Sequence, residues 1–108
     1  MEGNKEYPQP RGTVLNTIHD IAELQKARIT YSDTPNGKIN FITKMYAKKW
    51  EHRFTVTDID KHRCRVKIEM GKDTTGSNDQ IRREFALLDS MLLDDVRFEI
   101  AEEKQEGI

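Results

Sequence analysis

The chain has one cysteine, one tryptophan and three prolines in 108 residues, and its net charge is only −1. Each scarcity removes a class of protein. Cys64 has no second cysteine to bond with, which excludes a disulfide-stapled secreted scaffold and places the expected location in the cytoplasm. No apolar stretch near the start resembles a signal peptide. The longest apolar run, FALLDSMLL at 85–93, is too short and too interrupted to cross a bilayer, so no membrane partner is expected. The three histidines, His19, His52 and His62, are scattered, and neither C-x-x-C nor H-x-x-x-H occurs, so no metal site is expected. GKDTTG at 71–76 lacks the G-x-x-x-x-G-K-[ST] order of a phosphate loop and reads as a strand-to-helix connection. No cofactor is implied, and no acid–base pair or activated nucleophile that would make an enzyme is legible.

What is present is strong patterning. Hydrophobic residues make up 35% and charged residues 34%, which suits one small polar domain whose apolar residues must be well placed to build a core. Residues 1–12 carry two of the prolines and no periodicity, and read as a mobile arm. Val14, Leu15, Ile18, Ile21 and Ala22 then recur at helical spacing behind Thr13, a candidate N-cap, which predicts a first helix over about 14–25.

From Arg28 the period becomes two. Thr34-Pro35-Asn36-Gly37 is a turn signal, because proline presets the backbone and glycine accepts the left-handed conformation. A loop at Lys48-Lys49 sets Ala47 against Trp50, Met45 against His52, Thr43 against Phe54 and Phe41 against Val56. A loop at 60–62 sets Asp58 against Cys64, Val56 against Val66, Phe54 against Ile68 and His52 against Met70. One inward face survives all three hairpins. The expectation is a four-stranded antiparallel meander over roughly 28–32, 38–47, 50–58 and 63–70. A second helix over about 79–93 follows, with a capping box at Ser77 and Gln80 and a stripe of Ile81, Phe85, Leu88 and Leu92. VRFEIA at 96–101 alternates again and reads as a short final strand, the alternative being that the second helix simply continues. Residues 102–108 form a polar tail. The fold class is α+β, one domain over 13–101, with two helices on the apolar face of the sheet.

Two surfaces carry functional candidates. On the inward face Thr43, His52 and Asp58 stand among apolar neighbours. Such groups either find partners at the sheet ends or line a pocket. In the second case Thr43 and His52, with Phe54, Phe85 and Leu88, would hold a small apolar ligand between the sheet and the second helix. On the outward face Lys44, Tyr46, Lys48, Arg53, Arg65 and Lys67 form a basic surface with one aromatic ring, a pattern that binds single-stranded nucleic acid or simply keeps a sheet soluble. Residues 26–70 hold 11 Lys/Arg and 5 Asp/Glu, a net of +6, whereas residues 71–108 hold 5 and 10, a net of −5. That asymmetry also fits self-association.

The run GKINFITKMYAKKWEHRFTVTDIDKHRCRVKIEM followed by REFALLDSMLL resembles, over about residues 28–93, the START-like or polyketide-cyclase-like helix-grip proteins. The resemblance implies a curved sheet wrapped around a C-terminal helix and an apolar cavity. It rests on pattern alone, with no family motif, so it carries over no functional residue. The chain also lacks an evident first strand and has few strands with which to close a deep cavity.

Overall fold

The computed structural model describes residues 2–45, 48–70 and 77–106. The elements, in chain order, are strand β1 (Glu2–Tyr7), helix α1 (Arg11–Leu24), strands β2 (Arg28–Asp33), β3 (Lys38–Met45), β4 (Lys48–Asp58) and β5 (Cys64–Met70), and helix α2 (Ser77–Glu106). The five strands form one antiparallel sheet in the order β1-β5-β4-β3-β2, and it does not close into a barrel. The architecture is α+β, as the patterning implies. No described helix is long and apolar enough to cross a membrane.

The hairpin between β4 and β5 has the expected register, with Asp58 opposite Cys64, Val56 opposite Val66, Phe54 opposite Ile68 and His52 opposite Met70. Every second residue from Trp50 to Val56 and from Cys64 to Met70 is therefore buried, and Val66, Ile68, Phe54 and Val56 are sealed from solvent. Phe41 of β3 stacks on Phe54 at 5.3 Å between ring centroids. The apolar stripe of α1 (Val14, Ile18, Ile21) and that of α2 (Ile81, Leu88, Leu92) close over this face. Burying such side chains contributes about 1.5–3 kcal/mol each and is what offsets the entropy of ordering the chain.

Four expectations are corrected. The expected arm is β1, paired with β5 from Glu2–Glu69 to Tyr7–Cys64. Its inward residues are Gly3, Lys5 and Tyr7, so its alternation is not apolar and leaves no hydrophobic signal. Helix α1 begins at Arg11 and not at Val14, and its N-cap position is taken by Pro10, in extended geometry, and not by Thr13. The β3–β4 register is Phe41–His52, Thr43–Trp50 and Met45–Lys48, so Lys48 and Lys49 are strand residues and not the expected loop. An even shift keeps the same faces inward, which is why patterning alone did not resolve it. Finally, 96–101 is helical, as part of α2. The edge of β5 that a final strand could have joined is already occupied by β1.

The β2–β3 turn is a short 3-10 segment, Thr34–Asn36, ended by Gly37 at φ 70°. The Gly37 N–H donates to the Thr34 carbonyl, and the Val56 N–H donates to the Gly37 carbonyl at 2.7 Å. A Cβ at Gly37 would lie 2.1 Å from the Val56 carbonyl oxygen. Left-handed strain and a clash with backbone therefore act together, and Gly37→Ala is expected to cost about 3 kcal/mol, measured by urea denaturation. A loss below about 1 kcal/mol would show that the turn relaxes freely.

Candidate ligand cleft

The site grows from the place where α1 stops. Gln25 caps the helix, its N–H bonded to the Ile21 carbonyl, and Lys26 follows at φ 54°, the left-handed geometry that ends helices. This turn places the Gln25 side chain against α2, where Nε2 donates to Glu84 Oε2 at 3.0 Å. The other oxygen of Glu84 lies 3.3 Å from His52 Nε2, near enough for attraction but not aligned as a hydrogen bond. The His52 ring stacks on Phe41 at 4.9 Å. Both His52 and Glu84 are fully buried.

Burial decides their protonation. It pushes the Glu84 carboxyl up from 4.5 to about 7, with Gln25 and Arg83 pulling the other way. It pushes His52 down from 6.5 to about 4, against the backbone of Phe41 and Trp50. Both groups are thus driven toward their neutral forms, as a low-dielectric interior requires.

In front of this pair lies a cleft of about 250 Å³ between the end of α1, β3 and α2, lined by Leu24, Gln25, Thr43, Lys44, Arg83 and Leu87. Thr43 is 3% exposed and its hydroxyl has no hydrogen-bond partner among the described residues. Leu24 is 67% exposed. The cleft therefore has apolar walls, one unpaired buried hydroxyl and two cations at its rim. Among the described residues no group of His, Cys, Asp and Glu could hold a metal ion.

The inward candidates separate in space. Thr43 lines the cleft and His52 lies behind it. Phe54 and Leu88 are core residues, 1% and 0% exposed, and line no part of the cleft. Phe85 packs at the far side, where a Cβ on Gly3 would come within 2.9 Å of its ring. Asp58 ends its strand exposed to solvent, 3.7 Å from the Arg11 guanidinium. Of the outward candidates, Arg65 is paired to Glu6 at 2.7 Å, and Lys67 to Glu2 at 3.1 Å and Glu69 at 3.5 Å. Lys48 is on the Trp50 side of β4, its ammonium 5.8 Å from the indole centroid, because the two stand two positions apart along the strand. Lys44 and Arg53 face outward, and Tyr46 lies outside the described residues.

Sequence reasoning missed Gln25 and Glu84. Glu84 had a signal: it stands three residues after Ile81 and four before Leu88, inside the apolar stripe, where a carboxylate is out of place. Gln25 had none. No family model matches the chain, and no curated protein matches it.

The two shifts oppose each other in the pH dependence of stability. Between 4.5 and about 7 the folded protein keeps a proton on Glu84 that the unfolded chain has released, so stability falls as pH rises. Between about 4 and 6.5 the unfolded chain protonates His52 while the folded protein does not, so stability rises with pH. Each slope approaches about 1.4 kcal/mol per pH unit, and they cancel where the windows overlap. Glu84→Gln removes the falling part. Its stability, relative to the native chain, is expected to rise across that overlap in urea titrations at a series of pH values. A constant difference would mean that Glu84 is ionised in the folded protein.

Proposed function

We propose that the chain is a non-enzymatic binding module that holds a small amphipathic anion in the cleft between α1, β3 and α2. The Thr43 hydroxyl carries this reading. A buried hydroxyl without a partner costs about 1–3 kcal/mol, and a ligand oxygen that accepts its proton recovers that cost. Leu24 and Leu87 suit a short apolar body, and Lys44 and Arg83 at the rim suit a carboxylate or phosphate head. A binding role is favoured over catalysis because Glu84 and His52, the groups poised to exchange protons, are sealed behind the cleft.

The ligand sits at the mouth of the sandwich because its middle is filled by Phe41, Phe54 and Leu88. Kinship with helix-grip proteins belongs to the same proposal. In its support, β1 supplies the first strand that the sequence pattern lacked, and α2 is the long helix that follows the meander. The open five-stranded sheet suits a shallow cleft better than a deep cavity.

The test is a thermal-shift and calorimetric screen of short-chain carboxylates and alkyl phosphates. A saturable rise in Tm is expected for at least one of them. Thr43→Val keeps the shape and removes the hydroxyl. It should weaken that ligand about tenfold, while the free protein becomes no less stable. Equal binding by the valine variant, or a screen with no shift, overturns the reading.

A further inference from the structure

The register of β2 against β3 shifts by one residue between Ile29 and Tyr31: Ile29 is opposite Phe41, but Tyr31 is opposite Asn40. Without the shift Tyr31 would share the inner side with Ile29. With it, the ring turns to the outer face, which is how bulges commonly re-aim a side chain. There Tyr31 borders a cleft of about 370 Å³ with Lys38, Asn40, Arg53, Thr55 and Glu69. Its hydroxyl reaches Asp33 Oδ2 at 3.3 Å, which holds the ring by its edge, and the residue is 47% exposed.

Charge divides the same face in two. On the β1–β5 half, Arg65 and Lys67 are consumed by Glu6, Glu2 and Glu69. On the β2–β4 half, Arg28, Lys44, Lys49 and Arg53 form no ion pair among the described residues. Tyr31, Asn40 and Arg53 stand side by side on β2, β3 and β4. Four residues further along β3, roughly 14 Å away, Lys44 pairs with Lys49. These two lysines, with Gln25, Lys26, Arg28 and Ile42, line a second cleft of about 530 Å³.

We infer that this half of the outer face binds single-stranded nucleic acid, with a base stacked on Tyr31 and the phosphates drawn along Arg53, Arg28 and the Lys44–Lys49 pair. An exposed ring beside cations that form no ion pair among the described residues suits an unstacked base, whereas in a duplex the base faces are already covered. An acidic peptide would use the cations but leave the ring idle. Lys44 and Gln25 border both clefts, whereas Thr43 lines only the inner one and Tyr31 and Arg53 only the outer face, so Thr43→Val and Tyr31→Ala test the two proposals separately.

The experiment is fluorescence anisotropy of a labelled uridine octamer titrated with the full chain at about 50 mM salt. Micromolar affinity is expected, with a slope of log K against log salt near −2, the value for about three phosphates on a single strand. Tyr31→Ala should weaken binding about tenfold and Tyr31→Phe by less than about twofold. Arg53→Gln should weaken it and flatten the slope by about 0.7. Arg65→Gln, whose charge is already paired, should leave it unchanged. Circular dichroism checks that each variant is folded. The inference is overturned if the octamer does not bind, if Tyr31→Ala binds like the native chain, if Arg65→Gln does the same damage as Arg53→Gln, or if a duplex or polyglutamate competes as well as the single strand.

Discussion

Residues 2–7 add their backbone to β5, and much of the molecule is arranged around that pairing. It extends a four-stranded meander by one strand, taken from the opposite end of the chain. It gives α2 a surface to lie on, since Lys5 and Tyr7 both reach Asp89 of that helix, the Tyr7 hydroxyl at 2.7 Å. A hydrogen bond to a charged acceptor of this kind is worth about 1.5–3 kcal/mol. Burial and Asp89 together hold the Tyr7 phenol protonated far above its usual range. The close approach of helix and strand requires Gly3, where a Cβ would lie 2.7 Å from Ile81 Cγ2. The pairing also sets the electrostatics of the outer face, because its two glutamates neutralise only the half of the sheet they adjoin.

The two helices divide the inner face. Helix α1 lies against β3 and β4, and α2 lies against β5 and β1. Between them, where α1 stops at Gln25, the His52–Glu84 pair fills the seam with polar atoms in an otherwise apolar core. A buried pair of this kind is weak evidence for stability, because the cost of desolvation competes with the attraction. It is better evidence that the position of α1 relative to α2 is specified, since the Gln25 side chain at the helix end is hydrogen-bonded to Glu84 of α2. Meanwhile β2 lies beyond the cover of either helix, and its residues Ile29 and Tyr31 remain exposed.

Much of this was legible in the sequence, and the reasons differ by element. The β4–β5 register could be read because both strands alternate strictly and the turn allows one parity. The inward placement of Trp50, His52 and Phe54 followed from the same parity, and it survived an error in the neighbouring turn. What could not be read was whatever lacked an apolar signature. β1 turns a glycine, a lysine and a tyrosine to the inner face, and of these only Tyr7 is buried. The β2 bulge displaces one residue without changing composition. Glu84 joins His52 across 32 positions of sequence, and no local pattern anticipates that contact. Of the site, Thr43 was found by its polarity among apolar neighbours, while the cleft beside it depends on where α1 ends, which is a tertiary fact.

Cys64 pairs with Tyr7 at the end of the β1–β5 ladder, fully buried, its thiol pushed up to about 11 by burial and by Asp58. A thiol so placed reacts only after its neighbours move aside. Of the two strands beside β5, β4 is paired on both edges and β1 on one only, so β1 is the one that leaves first. The chain therefore carries a single chemical clock at its seam: the rate at which a thiol reagent modifies Cys64 in the native protein reports how often β1 parts from β5, without unfolding the rest.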